Sequence, residues 1–195
     1  IYVRDRAKYL ASAQDYNVTI KTLGDKLSTE VKWVYISTPI STHYDLVGKY
    51  LNAGKNVICE KPLTDSLEKT KHLFELADIN KVILHEVYMY KYHKQFEHLQ
   101  GTIKENLRSL KTVSTKFTIP HLERNDIRYK KELSGGALLD VGFYPVSLII
   151  SLFGEPKEIK CILNNEDGYE VDLFGAAIFV FENFYCFAEW GVGLP

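Results

Sequence analysis

Trp33-Val34-Tyr35-Ile36-Ser37-Thr38-Pro39 and, further on, Asn56-Val57-Ile58-Cys59-Glu60-Lys61-Pro62 decide the fold. Each is a short β-rich run that gives way to polar residues and then a proline. Between them Tyr44, Leu46, Val47, Tyr50 and Leu51 recur at helical spacing, with Ser41 or Thr42 placed to cap the start and Gly54 the end. A second helix is predicted from Ser66 to Ala77, with Ser66 as its N-cap, and a third strand at Val82-Ile83-Leu84. Short strands alternating with helices of about 12 residues are the pattern of βαβ units and a parallel sheet. Such crossovers are right-handed, so the sheet reads as doubly wound. Upstream, Ile1-Tyr2-Val3 reads as the end of a buried strand, and Ala7, Leu10, Ala11 and Ala13 fall near helical spacing.

Beyond residue 87 the pattern changes. Tyr90 to Asn106 is polar and helix-like, Lys111 to Ile119 alternates as a strand, and Asn125 to Ser134 is a charged loop. Gly135-Gly136 opens a very apolar helix, Ala137 to Phe153, stopped by Gly154 and Pro156. Three strand-like runs follow, Glu158–Leu163, Leu173–Phe181 and Phe184–Trp190, with Glu182-Asn183 as a tight turn between the last two. Strands grouped without intervening helices predict an α+β domain with a mainly antiparallel sheet. The fold class is therefore α/β, a truncated Rossmann-type doubly wound parallel sheet over residues 1–87, then an α+β domain over 88–195.

Composition narrows the function classes. With 46% apolar and 25% charged residues the chain can build a core, and a formal net charge of −1 gives no pull toward nucleic acid or an anionic membrane. Cys59, Cys161 and Cys186 are odd in number and far apart, which suits a reducing cytoplasm better than a disulfide framework. The apolar stretch from Gly135 to Phe153 is interrupted by Asp140 and Pro145, so no membrane span is expected. The six histidines lack metal-binding spacing.

Three segments carry polar chemistry where a ligand would meet it. Ser37-Thr38-Pro39-Ile40-Ser41-Thr42-His43 leaves the C-terminal end of a parallel strand, the edge at which open α/β sheets bind ligands. Taken alone it is equally a capped strand–helix loop. Glu60-Lys61-Pro62 ends the next strand and presents Lys61 at the same edge, either as a donor to a substrate hydroxyl or as a surface lysine before a turn. Pro62 permits a cis bond there. In the apolar helix, Asp140 and Tyr144 lie four apart on one face, where a carboxylate and a phenol are costly unless partnered or used. They read either as substrate binder and proton relay or as a structural pair.

Together the segments resemble the glucose–fructose oxidoreductase and inositol dehydrogenase (Gfo/Idh/MocA) family. The resemblance rests on Trp33 to Pro39, His43, Ala53-Gly54-Lys55 and Cys59-Glu60-Lys61-Pro62. It continues through His85-Glu86-Val87-Tyr88-Met89-Tyr90-Lys91, Asn125-Asp126-Ile127-Arg128 and Gly135 to Pro145. Val87 and Lys91 depart from the family pattern, but the ordered set covers nearly the whole chain. Tyr144, where many members carry His, points to the branch with xylose and dihydrodiol dehydrogenases.

The resemblance implies an NAD(P)-dependent oxidoreductase acting on a CH–OH group of a sugar, polyol or cyclic diol. Lys61 and Tyr144 would move the hydroxyl proton, with the Lys61 ammonium favouring the Tyr144 phenolate. Asp140 would bind substrate hydroxyls, and Arg128, Asp140 and Tyr144 would line the substrate. Ser37, Thr38, Pro39, His43, Glu60, Lys61 and Glu86 would line the cofactor. Arg4 would sit beside the adenosine ribose, and an arginine there favours NADP over NAD. No GxGxxG occurs in the 195 residues; the expectation is that about 30 residues upstream, and the family's last strands, lie outside this piece. A non-catalytic dinucleotide sensor and an inactive fragment are the rival readings. Assembly into a homo-oligomer would use the open face of the second sheet; Phe179, Phe181, Tyr185 and Phe187 are candidates for it and equally for the core.

Overall fold

The computed structural model describes residues 1–3, 5, 7–9, 13, 16, 19–22 and 27–194, and the chain divides into two compact units, Ile1–Lys32 and Trp33–Pro195. Arg4, Leu10 and Ala11 lie outside the described residues, so the reading of Arg4 as a ribose contact stays with the sequence. In the first unit, strand β1 (Tyr2–Val3) pairs in parallel with β2 (Lys21–Thr22). Ala13 and Ile20 are its buried apolar residues.

The second unit opens with a three-stranded parallel sheet in the order β3 (Trp33–Ile36), β4 (Asn56–Cys59), β5 (Leu84–Glu86). Crossover helices α1 (His43–Asn52) and α2 (Leu67–Asn80) pack on each other, so both cover the same face of this sheet. Val47, Leu51, Val57, Cys59 and Leu73 fill the space between, each fully buried. The predicted stops and starts hold at two places. Ser66 Oγ accepts from Lys69 N at 3.4 Å, and Gly54 follows α1 with φ +67°. At the start of α1 the structure differs: the chain enters through a 3₁₀ turn, Ile40–Thr42, and neither hydroxyl caps the helix. Thr42 Oγ1 instead donates to Pro39 O at 2.8 Å, a bond that tightens the turn behind the proline.

A 3₁₀ turn (Met89–Tyr92) and helix α3 (Lys94–Asn106) lead to β6 (Thr112–Ile119). The charged loop after β6 holds two short 3₁₀ turns, Ile127–Tyr129 and Lys131–Leu133. The apolar helix has a π-helical first turn, Leu138–Gly142, before regular helix α4 (Phe143–Phe153). Strands β7 (Glu158–Asn164), β8 (Phe174–Val180) and β9 (Tyr185–Val192) complete a four-stranded mixed sheet in the order β6-β9-β8-β7. Two of its three pairings are antiparallel, and β6 joins β9 in parallel. The fold class read from the sequence is the one observed: Rossmann-type α/β, then α+β.

Two points of the sequence reading are sharpened here. Phe179 and Phe181 belong to the core beneath α4, together with Trp190 and Ile149, and only Tyr185 and Phe187 lie on the open face, at 50% and 40% exposure. Second, by length and composition alone the helical run Lys131–Phe153 would suffice to cross a membrane. Its Ala137, Val141 and Ile149 instead pack on the sheet, and Asp140 in its middle is paired with two cations, as expected of a domain helix.

Candidate functional site

The site is assembled where the ends of β3, β4 and β5 meet the π-turn. Pairing runs past the strands: Glu60 N bonds Ile36 O at 2.9 Å and Val87 N bonds Cys59 O at 2.9 Å. The residues just beyond are thereby fixed at the C-terminal edge. His43, 1% exposed, stands behind this edge. Its Nδ1 lies 3.0 Å from Pro62 O and its Nε2 2.8 Å from Thr38 O. His43, which the resemblance implies at the cofactor, is buried here and ties the Thr38 and Pro62 loops together from within. Thr38 Oγ1 meets Thr42 Oγ1 at 2.6 Å. The Lys61–Pro62 peptide is cis.

The two glutamates expected at the cofactor are each held by a tyrosine. Glu60 accepts from the Tyr35 hydroxyl, a bond that, with burial and the glutamate charge, pushes that phenol up to about 12. Glu86 accepts from Leu63 N at 2.7 Å and from Tyr88 Oη at 2.7 Å, so it pins the turn after Lys61. Burial and Glu86 together raise the Tyr88 phenol.

Lys61 reaches across to the π-turn. Its Nζ donates to Asp140 O at 2.7 Å and to Asp140 Oδ1 at 2.9 Å. The other carboxylate oxygen, Oδ2, accepts from Arg128 Nε. Burial opposes ionisation of Asp140, yet the Lys61 ammonium and the Arg128 guanidinium hold its carboxyl below the usual range. Asp140 and Tyr144 do face the same partner, because Lys61 Nζ also lies 4.6 Å from the centroid of the Tyr144 ring.

That placement corrects the expected phenolate. The ammonium covers the ring face of Tyr144 and its bonds go to Asp140. The phenol is raised by burial and by the negative charges of Asp140 and Glu60, against a smaller opposing effect of Arg128. Tyr144 is protonated near neutral pH. Phe117 packs on it at 4.9 Å between ring centroids. A cleft of about 680 Å³ opens beside it, lined by Phe96, Leu99, Phe117, Pro145 and Leu148.

Sequence reasoning missed three parts of this arrangement. Arg128 binds Asp140 and Asp126 instead of standing free, Tyr35 and Tyr88 hold the glutamates, and the Trp190 indole is boxed between glycines. A Cβ on Gly142 would lie 2.8 Å from Trp190 Cγ, and one on Gly175 would lie 2.7 Å from Cζ2. Two glycines at this spacing from an aromatic carried no legible signal.

A parallel sheet whose strand ends carry Thr38, Lys61 and Glu86, facing a helix that presents Asp140 and Tyr144, defines a Rossmann-type protein with a second, mixed-sheet part. The model of an oxidoreductase family with NAD-binding Rossmann fold matches residues 1–88, and that of the GFO/IDH/MocA C-terminal domain matches residues 106–191. The chain belongs to the Gfo/Idh/MocA family.

Among curated relatives, dTDP-3,4-didehydro-2,6-dideoxy-alpha-D-glucose 3-reductase of Streptomyces violaceoruber is 34% identical over 151 residues, 76% of this chain and 44% of that protein. D-xylose 1-dehydrogenase (NADP(+)) 2 of Haloferax volcanii is 33% identical over 127 residues, 65% of this chain and 39% of that protein. The chain thus spans less than half the length of these relatives. Among solved structures, a mutant of KijD10, a 3-ketoreductase from Actinomadura kijaniata in complex with TDP-benzene and NADP, superposes with a TM-score of 0.92 at 26% identity. It is matched by 100% of this chain, which covers 61% of it.

Proposed function

We propose that the protein is an NAD(P)-dependent oxidoreductase that transfers a hydride between nicotinamide and a CH–OH or C=O carbon of a sugar, with Lys61 and Tyr144 at the reacting oxygen. The observation that carries this reading is the convergence of Lys61, Asp140 and Tyr144 at the C-terminal edge of a parallel sheet. That edge suits the nicotinamide half of a dinucleotide: Thr38 and Pro39 lie in the loop after β3, and Lys61 stands beside a protonated phenol. Ser37, Thr38, Pro39, Glu60 and Lys61 are the proposed cofactor contacts, with His43 and Glu86 fixing the loops that present them. NADP is the preferred dinucleotide, supported by the NADP bound to KijD10 and by the xylose dehydrogenase's name.

A dihydronicotinamide supplies the hydride when bound. The chain's own residues handle the proton. As hydride reaches the carbonyl carbon, the oxygen becomes an alkoxide and takes a proton. Tyr144 holds one near neutral pH, and Lys61 stabilises the developing charge. Reduction of a ketone as the working direction is in keeping with the 3-reductases among the relatives. The apolar cleft beside Tyr144 offers room for a deoxy or nucleotide-linked part of the sugar.

The division into a dinucleotide-binding part, 1–87, and a substrate part, 88–195, is supported by the separate ranges of the two family models. Assembly through the open face of the second sheet is supported by exposed Ile178, Tyr185 and Phe187. A reducing, cytoplasmic setting suits Cys161, a free and exposed thiol.

The test uses the full-length protein, dTDP-linked keto-sugars, xylose and inositols, and loss or gain of reduced-nicotinamide absorbance. Lys61→Met is expected to slow turnover by about 10²–10⁴-fold, the usual worth of a positioned proton-handling group, while dinucleotide affinity changes little. Tight dinucleotide binding with no turnover of any of these sugars would favour the sensor instead.

A further inference from the structure

Asp140 stands within a row of four alternating charges. Asp126 Oδ1 accepts from Arg128 N at 2.9 Å and from Arg128 Nη1 at 3.1 Å. Arg128 Nε donates to Asp140 Oδ2, and Asp140 Oδ1 accepts from Lys61 Nζ at 2.9 Å. The backbone holds the row in place. Arg128 O accepts from Gly136 N at 2.8 Å, and a Cβ on Gly135 would lie 2.5 Å from that oxygen. Only glycine allows the loop and the helix start to approach so closely.

Counting donors and acceptors gives the consequence. An ammonium has three N–H groups, and Lys61 commits two of them to Asp140 O and Oδ1. Each carboxylate oxygen of Asp140 already meets a cation, which fixes the side chain between Lys61 and Arg128. Arg128 has two of its five N–H groups, on Nε and Nη1, engaged by the two aspartates.

We propose that Arg128 and Asp126 are positioning residues that lock Asp140 between two cations and thereby leave Lys61 one N–H, beside Tyr144, for the reacting oxygen. This rests on the reading of Lys61 as the proton-handling group.

The test reads the Lys61 ammonium directly, by ¹H–¹⁵N spectroscopy of the lysine-labelled chain, with the resonance assigned by its loss in Lys61→Met. In the native chain its protons are expected to exchange slowly with water, two of them being hydrogen-bonded to Asp140. Arg128→Gln is expected to speed that exchange about tenfold or more, the factor set by losing a hydrogen bond to a charged group. Arg128→Lys should restore part of the protection. Should Arg128→Gln fail to fold, Asp126→Asn, which frees the guanidinium without touching Asp140, carries the same expectation at a smaller factor. Unchanged exchange in a folded Arg128→Gln overturns the proposal. So does a full-length Arg128→Gln protein whose KM rises while kcat and Lys61 exchange stay native, since that marks a substrate contact. If the ammonium responds as expected but the full-length protein reduces no sugar, the positioning stands and the enzymatic reading falls.

Discussion

Gly142→Ala tests how tightly the π-turn is fitted to the sheet beneath it. Gly142 has φ −64° and ψ −26°, ordinary helical values, so alanine meets no backbone objection there and by helix propensity alone gains about 1 kcal/mol. Packing opposes this. The new Cβ would lie 2.8 Å from Trp190 Cγ and 2.9 Å from Cδ1 and Cδ2, against 3.4–4 Å for ordinary contact. The indole is 1% exposed and its far end already meets the Gly175 backbone, so it cannot retreat. Overpacking of this kind costs about 1–3 kcal/mol, and a ring fixed at both ends places the cost in the upper part of that range. Packing wins, by about 1–2 kcal/mol net. For a chain of this length each kcal/mol moves Tm by about 2–4 °C, so calorimetry should show a fall of about 2–8 °C. Gly48→Ala is the control. It also lies in a helix, but its Cβ would meet Leu73 and Leu76 at 3.8 and 3.9 Å, so propensity acts alone and Tm should rise. A Gly142→Ala chain as stable as the native one would refute the packing argument.

Asp140 predicts a pH effect of definite sign. Its folded carboxyl lies below the unfolded value, so its stabilisation is complete above about pH 4 and is lost as pH falls through the folded pKa. Asp140→Asn should therefore flatten the acid limb of a stability–pH curve; an unchanged limb would mean the two cations do not hold the carboxylate in solution. Ser66→Ala removes the one side-chain acceptor at the start of α2 and, given a bond as long as 3.4 Å, should cost about 0.5–1 kcal/mol in urea unfolding.

Much of the fold was legible because its signals are local. Trp33 to Pro39 and Asn56 to Pro62 mark strand ends through composition, and Ser66 and Gly54 mark helix ends through chemistry a single residue supplies. Which of the second sheet's aromatics are core was legible too, had the turn been used. A two-residue turn at Glu182-Asn183 sets Phe181 opposite Phe184, and Phe181 N bonds Phe184 O at 3.1 Å. Counting back, Phe179 falls opposite Cys186 and shares its buried face, while Tyr185 and Phe187 fall opposite Val180 and Ile178 on the other. Period two alone puts the two pairs on opposite sides.

The charge row could not be counted in this way. Asp140 and Tyr144 are placed by helix spacing, but whether Asp140 faces a substrate or a cation depends on Lys61 and Arg128, which reach it from a strand end and a separate loop. The π-turn decides the matter. It offers Lys61 both a main-chain and a side-chain oxygen of the same residue, an arrangement that a regular turn, with its carbonyls satisfied along the helix, does not provide. The tripeptide Asp140-Val141-Gly142 carries no mark of that turn by composition. Beside it, Pro145 offers the helix no N–H, and Trp190 leaves no room for a side chain at Gly142. The Lys61–Asp140 contact thus depends on the conformation of a turn that no single residue announces.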